Sequence, residues 1–178
     1  MYKVYPKIIL ACLLLVMTGT VYSQRVTQTI NDGWKFSLFE GDASTADFDI
    51  SGWTDVSIPH TWNAKDADDE IPGYFRGKGW YRKVVAVEEL IPEQRVYLSF
   101  EGANQETNVF VNGTFVGNHK GGYSAFTFDV TDYVHAGRNL IAVSVDNSHN
   151  PDIAPLSADF TFFGGIYRDV YLVYTSPV

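Results

Sequence analysis

The chain has 178 residues and a net charge of −8, with 21 acidic against 13 basic side chains. That balance argues against nucleic-acid binding, because neutralising phosphates needs clustered Lys and Arg. A single cysteine, Cys12, excludes an intrachain disulfide framework.

The first segment, "MYKVYPKIILACLLLVMTGTVYSQ", sets Lys3 and Lys7 before an apolar run from Ile8 to Met17, and Val21-Tyr22-Ser23 fits a leader-peptidase site. A basic head, a short apolar core and a small residue before the cut make a signal peptide over residues 1–23. The run is too short for a stable membrane span, which needs about 20 residues. The protein is therefore expected to be exported, periplasmic or extracellular, with one domain over residues 24–178. Losing the leader removes two lysines and no acids, which takes the net charge to −10. Too little apolar sequence precedes Cys12 for it to be a lipoprotein anchor.

The rest of the chain has the rhythm of strands. "GWKFSLF" (Gly33 to Phe39) and "GWYRKVVAV" (Gly79 to Val87) read as early strands, with a polar, glycine-rich surface loop from Asn63 to Gly79 between them. "RVYLSFE" (Arg95 to Glu101) turns Val96, Leu98 and Phe100 inward. Thr107–Val111 and Thr114–Gly117 flank Asn112-Gly113, a hairpin signal because both residues tolerate positive φ. The Asn112-Gly113-Thr114 triplet is also a glycosylation sequon, but its turn role explains it. "AFTFDV" alternates Phe126, Phe128 and Val130. "DVTDYVHAG" predicts one helical turn, capped by Thr131 and ended by Gly137. "NLIAVSVD" sets Ile141, Val143 and Val145 against Leu140, Ala142 and Ser144. "GIYRDVYLV" reads as a final strand on which Arg168 shares a face with Ile166 and Val170, which predicts a paired, inward arginine. Many short strands between turn residues indicate an all-β sandwich or jelly roll. The four tryptophans, Trp34, Trp53, Trp62 and Trp80, are expected in the core rather than as sugar platforms.

No self-contained active site emerges. His60, His119, His135 and His149 are scattered, and the chain has no Gly-x-Ser-x-Gly, His-Glu-x-x-His or glycine-rich phosphate loop. What remains suits carbohydrate. Carboxylate and amide groups pair with sugar hydroxyls. Asn104 stands just past one strand, in "EGANQETNVFVNG", and Asp159 stands before the last strand, in "ADFTFFGG". From local sequence alone Asn104 is as readily a turn residue bonding its own backbone, and Asp159 an exposed loop acid or a cap. If the ends of the two strands meet on one rim, the pair converges.

The segments "NDGWKF", "WTDVSIPHTWN", "GWYRK", "FEGANQETNVFVNGTFVGNHKGGYSAFTFDVT", "NLIAVSVDN" and "DFTFFGGIYRDVYLV" occur in that order. Together, over nearly all of residues 29–174, they resemble the N-terminal sugar-binding domain of family 2 glycoside hydrolases, closest to the β-galactosidase-like members of Bacteroidetes type. The resemblance implies a jelly-roll β-sandwich of the galactose-binding type. In such enzymes the domain packs against a (β/α)₈ barrel that carries both catalytic glutamates of a retaining mechanism. This chain contains neither the barrel nor an Asn-Glu dipeptide, the usual form of the acid/base. The implied reading is a fragment or truncated gene, inactive alone. Its partners would be the barrel of the same full-length protein and a terminal β-linked sugar of an oligo- or polysaccharide.

By the same resemblance, the Asn after the Phe-x-Gly strand falls on Asn104. The Asp six residues before the Gly of Gly-Ile-x-Arg falls on Asp159. Both are implied to close the sugar subsite. Galactosidases also place a monovalent cation on that Asp, which implies a partial sodium contact at Asp159 in the full enzyme. No cofactor is expected for the chain itself, and only the full-length enzyme is implied to use a monovalent or divalent cation. Gly164-Gly165 reads as a tight turn after the Asp loop. A free-standing carbohydrate-binding module and a structural β domain without a sugar site are the alternatives. The first would bring a complete site of its own, and the second gives no reason for paired rim residues.

Overall fold

The computed structural model describes residues 25–66, 73–157 and 159–176. The expected leader and Cys12 lie outside these residues. Ten strands run through the described chain: β1 Arg25–Thr29, β2 Trp34–Leu38, β3 Thr54–Val56, β4 Lys78–Val87, β5 Arg95–Phe100, β6 Glu106–Val111, β7 Thr114–Lys120, β8 Phe126–Asp129, β9 Gly137–Asp146 and β10 Val170–Thr175. They form two antiparallel sheets, one of order β1-β10-β5-β8 and one of order β3-β2-β4-β9-β6-β7. The fold is an all-β jelly-roll sandwich, as the alternating pattern predicts.

Alternation is what lets these segments pair and still bury one face. Val96, Leu98 and Phe100 of β5 all point into the core, opposite Ile141, Val143 and Val145 of β9, with Trp34, Tyr81 and Leu172 filling the space between. β9 buries its other face too. Ala142 lies with Trp80, Phe48, Trp53 and Phe110 under the segment that links β2 to β3. Arg82 pins that segment by donating to the carbonyls of Ala43 and Thr45, both at 2.7 Å. Trp34 and Trp80 are buried, and Trp53 and Trp62 pack half-buried against the two clusters. The tryptophans are thus packing residues, as expected.

The β6–β7 hairpin turns at Asn112 (φ 52°) and Gly113 (φ 81°), the double positive φ that selects Asn-Gly. The Asn112 amide donates to Tyr133 O and Asn139 Oδ1, both at 2.9 Å, in keeping with a turn role.

Three expectations change. No helix occurs among the described residues. The segment after β8 is a single turn, in which Tyr133 and Val134 N–H reach Val130 O. Thr131 does not cap it, because its hydroxyl donates to Asp129 at 2.6 Å and accepts from Val96 N–H at 2.9 Å. β1 and β3 escape pattern reading because β1 is exposed throughout and β3 has only three residues.

The third change concerns the last strand, which starts at Val170 rather than near Gly165. Arg168 is exposed, with its guanidinium 5.4 Å from the Tyr167 ring centre. Before Val170 single backbone bonds, such as Glu101 N–H to Asp169 O at 3.0 Å and His60 N–H to Ile166 O at 2.8 Å, replace a continuous ladder, and a side chain ties the start of the strand. Asn31 Oδ1 accepts from Val170 N–H at 3.0 Å, and Asn31 Nδ2 donates to Asp169 at 2.9 Å. The two-residue parity that would turn Arg168 inward is therefore lost. Burying a guanidinium there without an acid would be costly in any case.

Candidate functional site

The end of β5, the start of β6, the end of β9 and the approach to β10 meet on one rim of the sandwich. There Asn104 and Gly165 form an isolated antiparallel bridge. Asn104 N–H donates to Gly165 O at 3.0 Å, and Gly165 N–H to Asn104 O at 3.3 Å. The Asn104 side chain is 3% exposed and donates to Phe163 O at 2.7 Å. Its partners thus belong to a loop far along the chain, so Asn104 is not a turn residue satisfying its own backbone.

The Gly-Gly pair makes this approach feasible. Gly165 has φ 123°, and a β-carbon there would lie 2.5 Å from the Tyr81 hydroxyl and 2.6 Å from His60 O. A β-carbon at Gly164 would overlap the Trp62 ring, which stacks on Phe36 with centroids 5.9 Å apart. Across the rim, a β-carbon at Gly122 would overlap Asn104 Oδ1, and the Tyr167 hydroxyl donates to Gly122 O. Gly164-Gly165, read as a tight turn, instead passes through the bridge to Asn104, where backbone packs directly against side chains.

Asp159 is exposed at the start of the same loop. Its neighbour Phe160 and Asn104, Tyr123, Thr161, Phe163 and Tyr167 line a cleft of about 140 Å³. Phe160 and Tyr123 meet edge to face, with centroids 6.5 Å apart. Aromatic walls beside an amide, with the exposed Asp159 next in the chain to Phe160, suit a ring with apolar faces and polar edges. Burial raises the pKa of both Tyr123 and Tyr167, so both phenols stay neutral near pH 7. His60 Nδ1 lies 2.8 Å from the Tyr81 hydroxyl behind the Gly165 turn. Its burial lowers its pKa, favouring the neutral ring.

The two sequence-predicted residues thus sit on loops that contact each other: Asn104 is buried in the seam and Asp159 stands exposed beyond it. Two further residues escaped sequence reading. Asn63 is 0% and Asn147 1% exposed, and both donate to Phe162 O, at 3.1 and 2.9 Å. Each closes a short mixed segment, "PHTWN" and "VSVDN". Nothing local says what such an amide reaches. A lone metal centre is not built here: among the described residues no three His, Cys, Asp or Glu side chains converge. Asp159 would offer a cation one carboxylate.

Residues 27–177 match the family described as the sugar binding domain of family 2 glycosyl hydrolases. A β-glucuronidase of Bacteroides fragilis is 38% identical over 166 residues, covering 91% of this chain and 22% of the relative. A β-galactosidase of Thermoanaerobacter pseudethanolicus is 40% identical over 157 residues, covering 83% of this chain and 19% of the relative. The solved structure of Bacteroides uniformis β-glucuronidase 2, covalently bound to cyclophellitol-6-carboxylate aziridine, superposes with a TM-score of 0.79 at 46% identity, covering 86% of this chain and 18% of that one. The chain thus spans about a fifth of the length of these relatives. Among the described residues no helix is long and apolar enough to cross a membrane. The chain belongs to the sugar-binding domains of the family 2 glycoside hydrolases.

Proposed function

We propose that this chain is the sugar-holding part of an exported, β-galactosidase-like glycosidase, in which Asn104 and Asp159 grip a terminal β-linked sugar. Hydrolysis belongs to a catalytic domain elsewhere in the longer polypeptide. The observation that carries this reading is the seam between the two loops. Asn104 is bonded to Gly165 and Phe163 within the loop that begins at Asp159, beside an aromatic cleft. A carboxylate accepts from two vicinal hydroxyls, and the Asn104 carbamoyl adds a directional partner. The aromatic rings offer apolar surface to the C–H face of the sugar. A cation contact at Asp159 belongs to the same reading, and no step depends on it.

Removal of the leader over residues 1–23 before the domain acts outside the cytoplasm is part of the proposal. A free-standing binding module is the second reading. The mostly apolar cleft, which Asp159 itself does not line, favours a site completed by another surface.

The test is made in a full-length family relative with the same two residues. Asp→Asn and Asn→Ala at the positions of Asp159 and Asn104 should each lower kcat/KM by about tenfold or more, equivalent to roughly 1.4 kcal/mol of transition-state stabilisation. Unchanged kinetics would remove both residues from the substrate site.

A further inference from the structure

We propose that Asn63 and Asn147 are positioning residues that lock two rim segments, 74–77 and 159–165, into one unit, so that the sugar-facing loop is formed before sugar arrives. This rests on the sugar-holding role given above to the Asp159 loop.

Each asparagine holds both segments at once. Asn147 Nδ2 donates to Phe162 O at 2.9 Å, and Asn147 Oδ1 accepts from Gly77 N–H at 2.9 Å. Asn63 Nδ2 donates to Phe162 O at 3.1 Å and to Phe75 O at 3.3 Å, while Asn63 Oδ1 accepts from Gly164 N–H at 2.9 Å. Thr61 adds a hydroxyl donor to that oxygen at 3.0 Å, which fixes the amide's orientation. Both side chains are out of water. Moving the Phe162 carbonyl would leave two buried N–H donors unpaired, and such groups are expensive to leave unmet.

Side-chain stacking reinforces the link. The Arg76 guanidinium lies 4.5 Å from the Phe162 ring centre and donates to the Tyr74 hydroxyl at 2.8 Å. Asn104 takes the next carbonyl, Phe163 O. Consecutive carbonyls of the loop are therefore held by amides from three separate parts of the chain. The loop cannot shift without opening the 74–77 segment as well.

The substitutions Asn147→Asp and Asn63→Asp separate this role from simple bulk. An Asp at either position can still accept from the same N–H but cannot donate to Phe162 O. Asn147→Asp therefore leaves the Gly77 N–H acceptor in place, yet should speed hydrogen exchange at Gly164, which Asn63 holds. Asn63→Asp should speed exchange at Gly77, which Asn147 holds. Both crossed effects are expected at about tenfold, the change for one weakened link. Asn139→Asp, a buried asparagine at the other end of the sandwich, matches the chemistry without touching the rim.

On the full chain, methyl β-D-galactoside and methyl β-D-glucuronide are titrated against wild type and variants by NMR. Asn147→Asp and Asn63→Asp should each weaken glycoside binding about tenfold, and Asn139→Asp should leave it unchanged at a similar loss of Tm. Exchange changes confined to each variant's own direct partners, or glycoside binding equal to wild type, would overturn the proposal. If wild type binds neither glycoside, the crossed exchange still decides whether the segments are coupled, and the kcat/KM test in the full-length relative decides the sugar-holding reading. If the variants do not fold, wild-type exchange decides. Gly77 and Gly164 should open with the same free energy, and unequal openings would show two independent segments.

Discussion

Both ends of this sandwich are tied by asparagine side chains, yet the two ends do different things. At the hairpin end, Asn112 and Asn139 satisfy turns. Asn112 Oδ1 accepts from Leu140 N–H at 2.9 Å, and Asn139 Nδ2 donates to His135 O at 2.7 Å and Gly137 O at 3.1 Å. At the rim end, reached by following β6 back and β9 forward, Asn63, Asn104 and Asn147 grip the main chain of Phe162, Phe163 and Gly164. The first network tidies β-hairpin connections. The second assembles distant loops around a cleft of aromatic rings. A buried amide is equally well satisfied in either place. What differs is what it joins: the rim network draws distant loops to an aromatic cleft, while the larger cavity of about 450 Å³ toward the hairpin end lies between Val26, Leu90 and Tyr174.

The sharpest way to break this comparison is a methyl group at one glycine of each end. Gly113→Ala meets only ordinary contact, with Thr45 Cα 3.8 Å from the new carbon, so only its positive φ costs, about 1 kcal/mol. Gly165→Ala adds direct overlap with the Tyr81 hydroxyl and His60 O to its φ of 123°. It should cost about 3 kcal/mol or more and disrupt the Asn104 bridge. Urea unfolding of both variants measures the difference. Equal losses would mean that the rim turn has room the packing denies.

A smaller effect should separate the ends by pH. His60 sits behind the rim turn with its pKa lowered by burial. A depressed pKa means the unfolded chain binds the proton more readily, so the stability this group contributes is complete above its ordinary value of 6.5. That contribution is lost as pH falls below 6.5 toward the folded-state value. Burial lowers His119 in the same direction, so it shares the slope. Tm measured from pH 8 to 5 should fall less steeply for His60→Gln than for wild type. Parallel curves would show that the rim turn does not sense His60.

The smallest effect lies between the ends. Thr107, on β6, buries a hydroxyl with no hydrogen-bond partner. Thr107→Val removes that unmet group at nearly constant volume and should raise stability by about 1 kcal/mol, with both ends unaltered. A loss of stability by denaturant unfolding would mean the hydroxyl has a partner, such as a buried water.

The sandwich itself was legible because alternation is a local property. Val96, Leu98 and Phe100 declare their face within six residues, and Asn112-Gly113 declares its own turn. The rim was legible in part. Asn104 and Asp159 stood out by their place in motifs, while Gly164-Gly165 read as a turn and its tight packing did not show. Asn63 and Asn147 did not stand out, because their partners lie up to 101 residues away and no local period encodes such a contact. Arg168 was misread for a related reason. Strand parity holds only while a ladder enforces it, and here the ladder starts two residues later, at Val170.

The central claim is that the Asn104–Asp159 rim is the sugar-facing end. The most direct test is to map amide and side-chain NMR shifts of the full chain during titration with methyl β-D-galactoside and methyl β-D-glucuronide. Shifts are expected at Asn104, Gly122, Tyr123 and Asp159 through Gly165, at millimolar glycoside, with Asn112 and Asn139 unmoved. Shifts centred on the hairpin end, or scattered over both sheets with the rim silent, would contradict it.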